Sequence, residues 1–300
     1  MPRLEHMIRT AGLAARALGP AATAVSAYVE SRLLADGGFA GRDGRSDLYY
    51  TAFALDSLAA LNARMDGSRA ETYVHGFGVG TALDFVHRTS LARCWARLPG
   101  LRVGTAWRRE LAHSLEVCRA PDGGFHTVPT PAASSVTGTF LALGAYSDLG
   151  IVPPAARKLV ASLDALRSRD GAFANEPGMK EGTTLASAGV IILRRRLRLP
   201  FPAELTDWLE ARGHRDGGFL ASPSAPFPDL LSTATALYAL LLADRRLDRS
   251  RLDACLAFIE GLQEPDGGFC GQWTDTVTDT EYTFYALLSL GCLTEMAGAR

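Results

Sequence analysis

The chain has 300 residues, 47% of them hydrophobic, with a formal net charge of -1 and a pI near 6.6. That balance argues against a general nucleic-acid binder and against a strongly basic membrane-surface protein. Five cysteines with no CxxC pair argue against a disulfide framework or a cysteine-rich zinc knuckle, so a reducing cytoplasm is the expected compartment.

In chain order, the stretch from about Arg9 to Leu34 reads as helix, with Gly19-Pro20 kinking or splitting it. Arg16 interrupts the apolar core that a signal peptide would need. The longest uncharged, mostly apolar run, Leu230 to Ala243, is shorter than the roughly 20 residues of a membrane span, so no span is expected. The first segment ends at Asp36-Gly37-Gly38-Phe39, and the turn returns at Asp122 to Phe125, Asp170 to Phe173 (with Ala172 at its third place), Asp216 to Phe219 and Asp266 to Phe269. The anchors Phe39, Phe125, Phe173, Phe219 and Phe269 lie 86, 48, 46 and 50 residues apart. A degenerate copy, His75-Gly76-Phe77-Gly78, divides the long gap into 38 and 48, so Phe77 is expected to be the remaining anchor.

Six units of roughly 40 to 50 residues follow, each a helix, a Gly-rich turn, a loop and a second helix. The post-turn helices carry apolar residues at helical spacing, for example Phe53, Leu55, Leu58 and Leu61, or Leu237, Leu240 and Leu241. Such a helix pair cannot bury its apolar faces alone, so neighbouring pairs must stack. Closure into a ring leaves no exposed ends, and an open superhelical solenoid is the alternative. No linker divides the chain, so residues 1–300 are expected to form one all-α domain, an α6-α6 toroid of six helix pairs.

DGGF turns, followed by a loop and by Asp-x-x-Tyr-Thr entering a helix, resemble the prenyltransferase/squalene-cyclase repeat from about Ala21 to Leu293. The resemblance implies an α/α toroid like that of protein prenyltransferase β subunits and class II terpenoid cyclases. It further implies an isoprenoid or prenyl diphosphate ligand and leaves room for a protein partner subunit. On this reading, residues just before the inner helices converge on one mouth of a central cavity. Aligned on the helix-start threonine, these are Asp47 to Thr51, Ser135 to Thr139, Asp229 to Thr233 and Asp279 to Thr283, while the copy near Glu181 to Ser187 is too irregular to register. An acid at such a place is also an ordinary helix N-cap.

The resemblance carries three functional expectations. A prenyltransferase-like transferase would hold a diphosphate with Arg42, Arg45 and Tyr50 beside Asp47, Tyr282 adding to the binding site, and would position the acceptor with Asp279, Glu281 and Asp229. The family's zinc set is not matched, because Leu231 and Tyr282 stand where cysteine and histidine belong, and no other histidine falls at an aligned mouth position. No metal or cofactor is therefore expected. A class II cyclase-like enzyme is the alternative, with Glu281 at the position of the catalytic acid in Asp279-Thr280-Glu281-Tyr282-Thr283, protonating an alkene or epoxide. A non-catalytic isoprenoid- or protein-binding toroid is the third reading. The aromatics Tyr49, Tyr50, Phe53, Trp273, Tyr282, Phe284 and Tyr285 are candidates for core packing or for lining an isoprenoid tunnel. Arg194-Arg195-Arg196 with Arg198 reads as a solvated helix end, with a patch for a partner or anionic lipid as the alternative.

Overall fold

The computed structural model describes residues 3–63, 65–98 and 103–298. Helices α1 (Arg3–Gly12) and α2 (Ala14–Leu18) come first. Pairs then follow: α3 (Ala21–Ser31) and α4 (Leu48–Ala60), α5 (Ser68–His75) and α6 (Phe85–Arg97), α7 (Thr105–Ser114) and α8 (Val136–Asp148). The remaining pairs are α9 (Ala156–Ala161) and α10 (Thr184–Arg196), α11 (Ala203–Glu210) and α12 (Leu230–Leu242), and α13 (Arg249–Glu260) and α14 (Thr280–Gly298). The predicted break at Gly19-Pro20 is a true split, Gly19 adopting φ +51 between α2 and α3.

The even-numbered helices from α4 onward form the inner wall. Each packs on the next, α4 through α14, and α14 packs back on α4, so the wall is closed. α4, α12 and α14 are apolar on nearly every side, as suits a helix contacting both a cavity and an outer layer, whereas α6 carries His87, Arg88, Arg93 and Arg97. The ring also closes through the turns. Gly267, in the last anchor turn, lies against the Ala24 carbonyl of α3, the first outer helix.

The anchor turns share one plan, although the Asp216 turn departs from it, the Asp216 N–H donating to His214 Nδ1. The aspartate side chain accepts the N–H two residues on, as Asp36, Asp122 and Asp266 do for Gly38, Gly124 and Gly268. The next glycine then takes a left-handed φ of +89 to +96 in all five turns. The buried phenylalanine pairs with the residue six places earlier, for example Leu33 with Phe39 and Gln263 with Phe269. Its N–H donates to a hydroxyl in the first turn of the following inner helix. The acceptors are Thr51, Thr139, Ser187, Thr233 and Thr283, at 2.9 to 3.4 Å. In the third of these, Thr183 caps α10 and Ser187 takes the place of threonine, which registers the copy that the sequence left unaligned.

Phe77 departs from the expected role. It makes no such bridge among the described residues, and its N–H bonds to the Val74 carbonyl, continuing the preceding helix. Asp84 caps α6, and Arg88, four residues later, ties the loop by donating to the carbonyls of Gly80, Thr81 and Ser114.

Helix α1 lies across the ring at the end away from the caps, contacting α4, α8 and α14. Gly291 lets the Thr10 carbonyl approach, and His6 Nδ1 lies 2.9 Å from the Tyr238 hydroxyl of α12. Two glycines test how the turns hold the ring. A Cβ on Gly267 would meet the Ala24 oxygen at 2.5 Å at φ +92, whereas one on Gly123, at φ +96, would meet nothing within 4 Å. Gly123→Ala should cost about 1 kcal/mol of backbone strain, and Gly267→Ala about 3 kcal/mol because steric overlap adds to it, both measured by urea denaturation.

Candidate functional site

The caps of the inner helices bring Asp47, Asp84, Asp229 and Asp279 to one mouth of the barrel. Asp47 accepts from the N–H groups of Tyr49 and Tyr50, Asp229 from Ser232 and Asp279 from Tyr282. The N-cap role anticipated for Asp47, Asp229 and Asp279 is therefore present in each, and Asp84 caps α6 in the same way. Burial pushes the Asp229 and Asp279 carboxyls above their usual range, against the pull of their N–H donors.

Arg42 spans from the first repeat to the last. Its Nε lies 2.7 Å from Asp279 and one terminal nitrogen 2.7 Å from Asp275, and its guanidinium covers the Tyr282 ring at 5.2 Å. Two carboxylates face one guanidinium, so its charge is already taken up. Arg45 points to solvent, 86% exposed, beside Asp43. Tyr50 packs its ring against Gly41, and Tyr282 packs on Gly271. Arg42, Tyr50 and Tyr282 are thus gathered around Asp279, whereas Asp47 caps Tyr49 and Tyr50 and faces His87, and Arg45 joins neither.

Glu281 differs from the other acids. It follows the first residue of α14, and its Oε1 accepts a hydrogen bond from Tyr49 at 2.5 Å. Burial lifts its carboxyl to about 7, with Asp279 adding to the rise while Tyr49, Arg42 and Arg93 hold it back. Tyr49, its hydrogen-bond donor, and Tyr285, one helical turn after Glu281, both line a central cavity of about 140 Å³, so Glu281 reaches that cavity's wall through Tyr49. Phe53 and Phe284 continue that aromatic wall from α4 and α14. Tyr49 packs edge-on against Phe53, with ring centroids 5.0 Å apart. Of the other aromatics considered, Trp273 is exposed and leans on Phe258 instead.

Ser90, Arg93 and Asp148 also reach the cavity, among apolar residues such as Phe140, Leu141 and Ile192. Arg93 lies 4.2 Å over Phe53 and pairs at 2.5 Å with the fully buried Asp56, which Arg97 approaches at 3.1 Å. An aspartate in the middle of the apolar helix Leu48–Ala60 was the one sequence signal that could have exposed this cluster.

His87 corrects a sequence expectation, because a histidine does stand at the mouth. Its Nδ1 lies 2.9 Å from Asp84 and its Nε2 3.3 Å from Asp47. Burial disfavours its charge, but the bonds to the two carboxylates outweigh that and raise its pKa. It was missed because the degenerate turn at Phe77 hid the register of α6. No group of three or more His, Cys, Asp or Glu among the described residues could hold a metal ion.

The family model for the prenyltransferase alpha-alpha toroid domain matches residues 17–209 and 183–299. No curated protein matches the chain. Among solved structures, the type II terpene cyclase MstE from Scytonema is similar in two variants bound to geranylgeranyl dihydroxybenzoate. One has a TM-score of 0.58 at 13% identity, covering 99% of each chain, and the other 0.60 at 13%, covering 95% of this chain and 99% of that one. A protein from Actinoplanes has a TM-score of 0.59 at 18% identity, covering 92% of this chain and 99% of the other. At these identities the likeness is one of fold.

Replacing Arg42 tests what it does here. Arg42→Ala leaves Asp279 buried without its cation and should cost about 2 kcal/mol at pH 7. Asp279 escapes that penalty by taking a proton, so the deficit should shrink on acidification, which denaturation at a series of pH values would show.

Proposed function

This chain belongs to the prenyltransferase alpha-alpha toroid family, and we propose that it is a class II terpenoid cyclase-like enzyme with Glu281 as the proton donor. We read it as one toroid of six helix pairs in which the Phe77 unit is degenerate. The observation that carries the reading is a buried carboxyl, lifted to about 7 and hydrogen-bonded to Tyr49, which walls the central cavity with Phe53, Phe284 and Tyr285. A general acid works best when its pKa lies near the operating pH.

In the proposed step the terminal double bond of a linear prenyl chain takes the Glu281 proton. Its π pair forms the new C–H bond, and the O–H pair remains on the carboxylate. Tyr49 donates to that carboxylate and so strengthens the acid. The tertiary cation formed is attacked by an internal double bond, and the aromatic faces favour positive charge. The cyclised cation loses a proton to water, and solvent reprotonates Glu281. No bond to the head group breaks, so the product is an isomer of the substrate. Two of the solved toroids similar in fold are terpene cyclases holding a geranylgeranyl compound, which is consistent with such a ligand.

The transferase reading has less behind it. Arg42 is held by Asp275 and Asp279 and Arg45 faces solvent, which leaves a net negative mouth where a diphosphate was expected. The partner subunit implied by the resemblance has no observation to support it. Asp229 caps α12 and donates nothing to this step.

Glu281→Gln should lower turnover of a linear polyprenyl substrate by about 10²–10⁴-fold, as loss of a general acid does, while leaving its binding intact. The wild-type rate should fall as pH rises through 7, and Tyr49→Phe should move that limb upward, because the bond that lowers the Glu281 pKa is gone. A pH profile of kcat checks both. Stability should fall over the same pH range. The folded-state pKa lies above the unfolded value, so the acid form stabilises below about 4.5 and that contribution is lost as pH rises through 7. Glu281→Gln should therefore be more stable than wild type above pH 7, on the order of 2 kcal/mol, in denaturant titrations.

A further inference from the structure

Helix α1, at the end of the ring away from the caps, sets two side chains against the inner helices. Met7 lines the central cavity, and His6 Nδ1 lies 2.9 Å from the hydroxyl of Tyr238, which lines the same cavity from α12. His6 itself is half-buried and borders a basin with Arg196 and Leu242. We propose that Tyr238 is the catalytic base that ends the cyclisation, with His6 as the positioning residue that takes the phenol proton on to water in that basin. The proposal rests on the cyclase reading given above.

In this step a C–H bond beside the cationic carbon breaks and its electron pair forms the last double bond. The proton moves to the Tyr238 oxygen while the phenol's own proton moves to His6 Nδ1. The imidazolium then gives a proton to water, which is how the proton leaves a closed cavity. A neutral phenol is too weak a base to act alone, and the imidazole behind it supplies the basicity. His6 accepts only while neutral. Burial disfavours its charge, Arg9 of its own helix adds to that, and Glu295 of α14 opposes it. Arg195, Arg196 and Arg198 at the end of α10, and Asp244, Arg245 and Arg246 after α12, share its surroundings. Arg195 is held by Asp244, as Arg194 is by Asp164, whereas Arg196 turns to the Leu143 carbonyl. Cations outnumber anions there, which also favours the neutral ring.

Other polar groups on the cavity wall are engaged differently. Tyr49 donates to Glu281, the acid itself. The hydroxyls of Thr89, Ser90 and Thr235 donate to carbonyls of their own helices, which cannot pass a proton on. Asp148 is the rival acceptor, and its charge acts on Arg93 and Arg196. Position also separates acid from base. Glu281 is the second residue of α14 and Tyr238 the ninth of α12, and both helices start at the same mouth. That offset of seven positions puts them about 10 Å apart along the axis. The first cation, formed beside Glu281, is out of reach of Tyr238, so the charge must move by ring closure before it is quenched.

The test is product analysis after incubating the full chain with geranylgeraniol and with geranylgeranyl diphosphate at about pH 5 and about pH 7.5, on either side of an ordinary histidine pKa. Wild type should give one main cyclic alkene at the higher pH. Its share should fall several-fold at the lower pH, where His6 is charged, in favour of alkene isomers and of alcohols formed by water capture. Tyr238→Phe and His6→Gln should each give the low-pH pattern at both pH values, with substrate consumed at close to the wild-type rate because protonation by Glu281 is untouched. A merely structural role would change the rate without making the pattern independent of pH. The assignment is overturned by an unchanged pattern in Tyr238→Phe, by a shift that Asp148→Asn produces in its place, or by a wild-type pattern constant across the pH range. That last comparison needs no variant, so it decides even where a variant fails to fold. Failure of the cyclase reading looks different: wild type forms no cyclic product, or Glu281→Gln forms it undiminished, and either result removes the base as well.

Discussion

The hydrogen bond from each anchor phenylalanine to a hydroxyl in the next inner helix is the constraint on which the rest of the molecule depends. A buried phenylalanine places its own N–H out of reach of water, and an unpaired N–H there would cost about 1–3 kcal/mol. Thr51, Thr139, Ser187, Thr233 and Thr283 remove that cost. Thr51, Thr233 and Thr283 also donate to the carbonyl four residues back, which belongs to the cap. Turn, cap and helix start are thereby locked in one register. With Thr283 locked and Asp279 capping, Glu281 has its place beside Tyr49.

The same architecture makes the two mouths electrically unlike. Caps must accept N–H groups, so acids collect where the inner helices begin, while helix ends favour cations, as at Arg194 to Arg196. Arg42 is an exception at the acidic mouth, and it is held there by Asp275 and Asp279 across the seam between first and last repeats. Its position supports ring closure together with Gly267 and Ala24, which meet at the same seam.

Local pattern carried far where each unit repeats its neighbours. The DGGF turns, the split at Gly19-Pro20 and the cap acids were legible because each depends on residues within about a dozen positions. Legibility failed where a unit substitutes one device for another. At Phe77 the anchor is lost and Arg88 replaces the threonine lock with three bonds to loop carbonyls, so α6, with Asp84, His87 and Arg93, had no register to be read from. The arginine run at the end of α10 has one sequence signature but two structural fates.

From the sequence alone came the repeat, the ring it implies and the position of Glu281 within the last copy, because these follow from spacing and from the backbone demands of Gly, Asp and Thr. Only the tertiary structure decided which charges are free. Arg42 and Arg45 look alike in the sequence, yet one lies between two carboxylates from a segment more than 230 residues away and the other faces water. The protonation of Glu281 was likewise undetermined until Tyr49, Asp279 and the apolar wall stood around it. A pKa is set by what surrounds a group in space, and in a closed ring those neighbours come from opposite ends of the chain.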